Sequence, residues 1–150
     1  MRMNRFLFLG VLCAIPLLAA DPFLGTWKFN PQKSKVDNPS NFKNHRQIIE
    51  AVGPNSQRIT NTADGPDGKE RKTVQIIVSD GKEYTSSSGA VMTSERVDEH
   101  HIKLTLKKDD RSQTVDASIS DDGKTMSLHY TGQGLGTGRS LDEIEVFDRE

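Results

Sequence analysis

Short stretches in which apolar and polar side chains alternate with a period of two, broken repeatedly by Asp-Gly reversals, constrain this chain more than any other feature. From His100 to Lys107, Ile102, Leu104 and Leu106 oppose Lys103, Thr105 and Lys107. Successive side chains of an extended strand point to opposite faces, so such a stretch has one wet face and one buried face. The pattern returns with Val115, Ala117 and Ile119, with Met126, Leu128 and Tyr130, and with Ile144 and Val146. Between Lys72 and Ser79, Val74, Ile76 and Val78 form the face expected to turn inward, with Ile77 out of step. Further candidates cover residues 23–30, 46–52, 57–63, 83–87 and 91–97. No comparable run carries apolar positions at helical spacing.

The breaks between these stretches are as regular as the stretches. Asp67-Gly68-Lys69, Asp80-Gly81-Lys82 and Asp122-Gly123-Lys124 each separate two candidate strands. Asp-Gly supplies the positive φ of tight hairpin turns, so these pairs are expected to be consecutive antiparallel partners. Asp98-Glu99 and Asp109-Asp110 occupy equivalent places with poorer turn chemistry and predict looser hairpins. The fold class is therefore all-β, an antiparallel meander of about 8 to 10 strands in a sandwich or barrel. The one long connection, from Pro31 to Asn44, reads as an ordered loop closing one end.

The first 20 residues follow a different rule. Arg2 and Arg5 precede an apolar run from Phe6 to Leu18, and Ala19 and Ala20 follow it. That order is the anatomy of a secretory signal peptide, too short to span a bilayer comfortably, with cleavage expected after Ala20. The expected organisation is a signal peptide over 1–20 and one domain over 21–150, placed in the periplasm or secreted. Cleavage removes Cys13, the single cysteine, so no disulfide is available to the domain in an oxidising compartment. It also removes Arg2 and Arg5, leaving 18 basic residues against 21 acidic ones. A nucleic-acid or anionic-membrane surface would need clustered positive charge, and neither is expected. The segment also takes much of the apolar content, so the domain is poorer in apolar residues than the 33% of the full chain. A thin core or a wet lumen follows.

Residues 21–30 read Asp21-Pro22-Phe23-Leu24-Gly25-Thr26-Trp27-Lys28-Phe29-Asn30, and Gly25-Thr26-Trp27-Lys28 resembles the Gly-x-Trp opening of lipocalins and fatty-acid-binding proteins. Asp80-Gly81-Lys82-Glu83-Tyr84, Arg96-Val97-Asp98-Glu99-His100, Ser120 to Met126 and Glu145-Val146-Phe147-Asp148-Arg149 stand in the order and spacing of small exported bacterial proteins described as lipocalin-like. The resemblance covers nearly all of residues 21–150 and implies a lipocalin-like β-barrel. It implies structural roles for Gly25, Trp27 and Arg149, with the Arg149 cation lying across the Trp27 indole at the closed end; a plain core role for Trp27 beside Phe23 and Phe29 is the alternative. The last strand lacks the Arg-x-Tyr pair with which fatty-acid-binding proteins hold a carboxylate, and Pro31 to Asn44 is too short for their two-helix lid.

Catalytic and metal chemistry find little support. His100 and His101 are adjacent on a strand and point to opposite faces, and His45 and His129 have no ligand spacing, so no metal is expected. No serine sits in a nucleophile elbow. The pairs Asp109-Asp110 and Asp121-Asp122 fall in turns, where carboxylates are solvated. Gly132 to Gly138 looks like a phosphate cradle but lacks a following helix, and reads as a loop. No cofactor is expected and no enzymatic activity. The lumen of a barrel instead points to a small hydrophobic or amphipathic ligand, held by Arg46, Tyr84, Arg96 and Tyr130, whose side chains join apolar surface to directional donors. An envelope adaptor with a solid barrel and a protein partner is the alternative, marked by an apolar patch near Leu135 and Leu141 or by a long unpaired edge strand.

Overall fold

A computed structural model describes residues 21–150, and the expected signal segment with Cys13 lies outside the described residues. Ten strands follow one another: β1 (Gly25–Phe29), β2 (Arg46–Gly53), β3 (Ser56–Asp64), β4 (Glu70–Val78), β5 (Asp80–Thr85), β6 (Val91–Asp98), β7 (His101–Lys108), β8 (Arg111–Ile119), β9 (Thr125–Gln133) and β10 (Ser140–Arg149). The helical element among them is one 3-10 turn, Pro39–Phe42. Each strand pairs antiparallel with its chain neighbour except β4 with β5, and β1 pairs with β10. The sheet thus curls into a nearly closed barrel whose two edges are β4 and β5.

The register of the closing pair fixes which side chains face inward. Trp27 lies opposite Arg149 and Phe29 opposite Phe147, while Trp27 also faces Gln47 on β2. Trp27, Phe147 and Met126 are fully buried, with Phe23, Ile102 and Ile119 around them. Trp27 Nε1 donates to the Phe23 carbonyl at 2.9 Å, so its polar atom is satisfied inside the core. The Arg149 guanidinium sits 4.1 Å from the Trp27 ring centre and donates to the carbonyls of Gly123 (2.6 Å), Leu24 (2.7 Å) and Pro22. One side chain therefore ties the N-terminal segment, the β8–β9 turn and the core aromatic together. Gly25 explains itself at the same place. Its φ is +131°, and a Cβ there would come within 2.7 Å of Arg149 Nη1.

Three turns depart from expectation. Asp80-Gly81-Lys82 forms the start of β5 and no hairpin, since β4 and β5 do not pair; the Asp80 carboxylate accepts from the Lys82 amide at 3.0 Å, and β5 irregularly joins β6. Asp109-Asp110 is tight, with Lys108 directly opposite Arg111, because Asp109 adopts the left-handed conformation at φ 55°. Asp98-Glu99 is braced as well, with the Asp98 carboxylate accepting from the His100 amide at 2.8 Å and from His101 Nδ1 at 2.8 Å.

Two strands turn the opposite face inward from the one their pattern suggests. On β4, Ile77 is buried while Val74 and Ile76 are 55% and 54% exposed. On β10, Glu143, Glu145 and Phe147 share the inward face with Arg149, and Ile144 and Val146 face out. The connection from Pro31 to Asn44 runs along the edge of β10 that β1 leaves free beyond Phe29. Lys35 bridges to Ile144, Ser34 Oγ accepts from the Val146 amide at 2.8 Å, and Phe42 stacks on the inward-facing Phe29 at 4.9 Å.

Replacing Arg149 with Met is expected to lower the unfolding free energy by about 1 to 2 kcal/mol, since it removes the cation from the indole and three charged hydrogen bonds that water replaces only in part. Arg46→Met, which breaks an exposed pair with Glu150, should cost less than about 1 kcal/mol. Equal losses in urea unfolding of the two variants would contradict this assignment.

Candidate functional site

Inside the barrel, above the Trp27 layer, the side chains do not meet. A cavity of about 210 Å³ is walled by Ile49, Ile59, Ile77, Ile102, Leu104, Leu106, Val115, Ala117, Met126 and Leu128, with Phe23 also on the wall. These come from β2, β3, β4, β7, β8 and β9, and their alternation with wet residues is the period-two pattern of the sequence. Polar groups enter the wall only as neutral side chains: Gln47, Gln57, Gln75, Ser94, Gln113 and Tyr130. Two of them are already engaged. Gln57 donates to Asp21 at 2.9 Å, and Ser94 shares a 2.8 Å hydrogen bond with Ser79. That serine pair crosses the place where the sheet is open, from the end of β4 to β6.

Behind Tyr130 lies the most unusual group of the molecule. Glu145 is 7% exposed and faces the interior beside Leu128, with the Tyr130 hydroxyl as its hydrogen-bond partner. Burial pushes the Glu145 carboxyl up to about 7, the nearby Glu143 charge adds to the rise, and the Tyr130 hydrogen bond opposes it. Tyr130 is itself held well above the usual phenol range, first by burial and then by the Glu145 charge. Glu143 is partnered by Arg139 at 2.7 Å, and Arg139 also reaches Asp37 in the connection from Pro31 to Asn44.

The four ligand-contact residues expected from sequence are scattered by the fold. Tyr130 is in the cavity wall. Arg46 is corrected outward: it alternates with the buried Gln47 and pairs with Glu150 at 2.6 Å on the surface. Arg96 is spent at the closed end, 2.7 Å from the Asp21 carboxylate and 5.3 Å from the centre of the Phe23 ring, so it braces the plug beneath the cavity. Tyr84 stands at the open edge on β5, 37% exposed, with its hydroxyl donating to Asp80 at 2.9 Å. Glu145 was not among the expected residues because Ile144 and Val146 suggested the other face. The signal lay in parity: with Arg149 fixed over Trp27, residues 147, 145 and 143 must share its side of the sheet.

A second buried titratable group lies near the mouth. His45 sits among Phe29, Phe42 and Phe147, its Nε2 3.3 Å from Asn61 Oδ1 and its Nδ1 without a partner. Burial lowers its pKa. Among the described residues no three His, Cys, Asp or Glu side chains gather closely enough to hold a metal ion, and no helix is long and apolar enough to cross a membrane.

The Glu145 environment has a measurable consequence for stability. The folded protein retains this proton up to about pH 7, whereas an unfolded glutamate releases it near 4.5. Between those values the native state binds more protons than the unfolded one, so this carboxyl makes stability fall as pH rises, by about 3 kcal/mol in all. His45 acts in the opposite sense, because its neutral form is favoured in the fold and stability is lost as pH falls through its range. Comparing the wild type with Glu145→Gln isolates the carboxyl: the variant should gain relative stability from about pH 5 to about pH 8. A constant difference across that window in thermal or urea unfolding would show that Glu145 is not buried as described.

No family model and no curated protein sequence matches the chain. Among solved structures, the barrel superposes on a fatty-acid-binding protein of Schistosoma mansoni in complex with arachidonic acid, with a TM-score of 0.63 at 15% identity, covering 86% of this chain and 96% of that one. Fatty-acid-binding protein 1 of Echinococcus granulosus gives 0.58 at 12% identity, covering 87% and 98%. The wild-type fluorescent protein UnaG gives 0.58 at 15%, covering 85% and 97%. At these identities the likeness is one of fold: this chain has the ten-stranded, nearly closed barrel of the lipocalin-like, calycin type.

Proposed function

We propose that this protein is an exported carrier that binds a small hydrophobic or amphipathic molecule in the lumen of its barrel, without catalysis. The observation that carries the reading is the cavity of about 210 Å³ inside the barrel, walled by apolar side chains from six strands with a few neutral polar groups among them. Ligand sites have this make-up, a largely preformed apolar wall with sparse polar groups that fix orientation. The same kind of barrel holds arachidonic acid in the Schistosoma mansoni protein. The non-catalytic reading is supported by the make-up of the cavity wall, which holds no charged side chain. Export rests on the basic, apolar and small-residue order of residues 1–20, and places the carrier in the periplasm or outside the cell.

Ala117 offers a direct test, because it lines the cavity between Ile102 on β7 and Leu128 on β9. Native mass spectrometry of the protein purified from the envelope of its own cells should show a co-purifying small molecule. Ala117→Leu should abolish that adduct while the unfolding midpoint holds or rises, since the added carbons fill a void. A wild type that carries no adduct and binds no apolar probe would remove the carrier reading.

A protein-interaction role is favoured by one separate observation. Val74 and Ile76 leave an exposed apolar strip on the outer face of the nine-residue β4, whose far edge is unpaired. Edge strands of this length invite pairing with another chain. If this strip serves a partner, Val74→Lys with Ile76→Lys should abolish co-purification of a protein and leave any small-molecule adduct in place.

A further inference from the structure

We infer that the cavity selects a ligand whose polar head is a hydrogen-bond-donating cation, a primary amine on an apolar chain, and disfavours a carboxylate. This inference deepens the carrier reading and rests on it. The geometry begins with Tyr130, which belongs at once to the cavity wall and to the pair with Glu145. A phenol that gives its proton to a carboxylate has only lone pairs left for a third group. Whatever meets it from the cavity must therefore donate.

The ionisable groups beside Tyr130 on the inward face of β10 are acidic, and the cations nearby lie outside the cavity wall. Glu145 and Glu143 project from β10 into the interior, and Tyr130 faces them from β9. On neighbouring elements, Arg139 is engaged by Glu143 and Asp37, Arg111 of β8 donates to the Leu135 carbonyl at 3.0 Å, and His45, beside Phe147, is held neutral by burial. No lysine or arginine is part of the cavity wall. A carboxylate drawn into this space would lose its water and gain no counter-ion, which is among the costlier steps a ligand can take. A protonated amine would give up the same water but gain the Tyr130 oxygen and the Glu145 charge behind it. Its arrival would favour the ionised form of Glu145, so binding is coupled to release of the Glu145 proton.

Three probes with one chain length separate the possibilities: octylamine, octanol and octanoate, titrated into the protein by calorimetry or by methyl chemical shifts. At about pH 8 octylamine should bind at least about tenfold more tightly than octanoate, with octanol between them. The preference should shrink to less than about threefold at about pH 5.5, where Glu145 takes up its proton. It should shrink likewise at about pH 8 in Glu145→Gln. Tyr130→Phe, which keeps the ring and removes the oxygen, gives an independent readout should Glu145→Gln fold poorly, and it should weaken octylamine more than octanol. Octanoate binding as tightly as octylamine, or a preference that survives both substitutions, overturns the inference while octanol binding leaves the carrier intact. If none of the three probes binds, the carrier reading fails and this inference with it.

Discussion

Everything in this molecule hangs on the pairing of its first strand with its last. Without the contact of β1 with β10 the strands would form two open sheets, β1 to β4 and β5 to β10, because β4 and β5 do not pair. Joining them brings both apolar faces to the inside of one barrel, where opposite walls bury one another across the lumen. Arg149 clasps this junction. It covers the Trp27 indole, satisfies three backbone carbonyls and uses the space that Gly25 leaves by having no Cβ. Residues 21–150 are modest in apolar content and hold no cysteine, and such a clasp matters because the core at the closed end consists of only a few aromatic and aliphatic side chains around Trp27, Phe147 and Met126.

Closure at one end leaves the other end free to be wet. Below, Phe23 and the Arg96, Asp21 and Gln57 cluster seal the barrel floor. Above, apolar walls part and neutral amides enter, and the acidic inward face of β10 lies next to Leu128 and Tyr130 of the cavity wall. A buried carboxylate is tolerated there because a hydroxyl meets it and because it can hold its proton near neutrality. The same strand is half plug and half site, Phe147 and Arg149 belonging to the first and Glu143 and Glu145 to the second.

The gap between β4 and β5 follows from local chemistry as well. Asp80 turns its carboxylate back onto the Lys82 amide and the Tyr84 hydroxyl, which starts β5 irregularly and takes it toward β6. What holds the two sides of the gap is a serine pair at its base, Ser79 with Ser94. A ring interrupted at one seam keeps backbone groups of β4 unpaired, and the apolar outer residues of that strand stand next to them.

Strand count and most hairpin positions were legible from the residues alone, because alternation and turn chemistry are local; the roles of Gly25, Trp27 and Arg149 came from the resemblance to lipocalins. Which face of a strand points inward was legible only where one face is apolar and the other charged, as on β7. On β4 and β10 both faces carry apolar residues, and the choice was made by something distant in sequence: closure of the ring with Arg149 over Trp27. That choice placed Glu145 beside Tyr130 and left Arg46 in solvent. Pattern alone determined that this chain forms a sheet; only the closing of the sheet decided what its interior offers a ligand, because inside and outside do not exist for a strand until its neighbours curve around it.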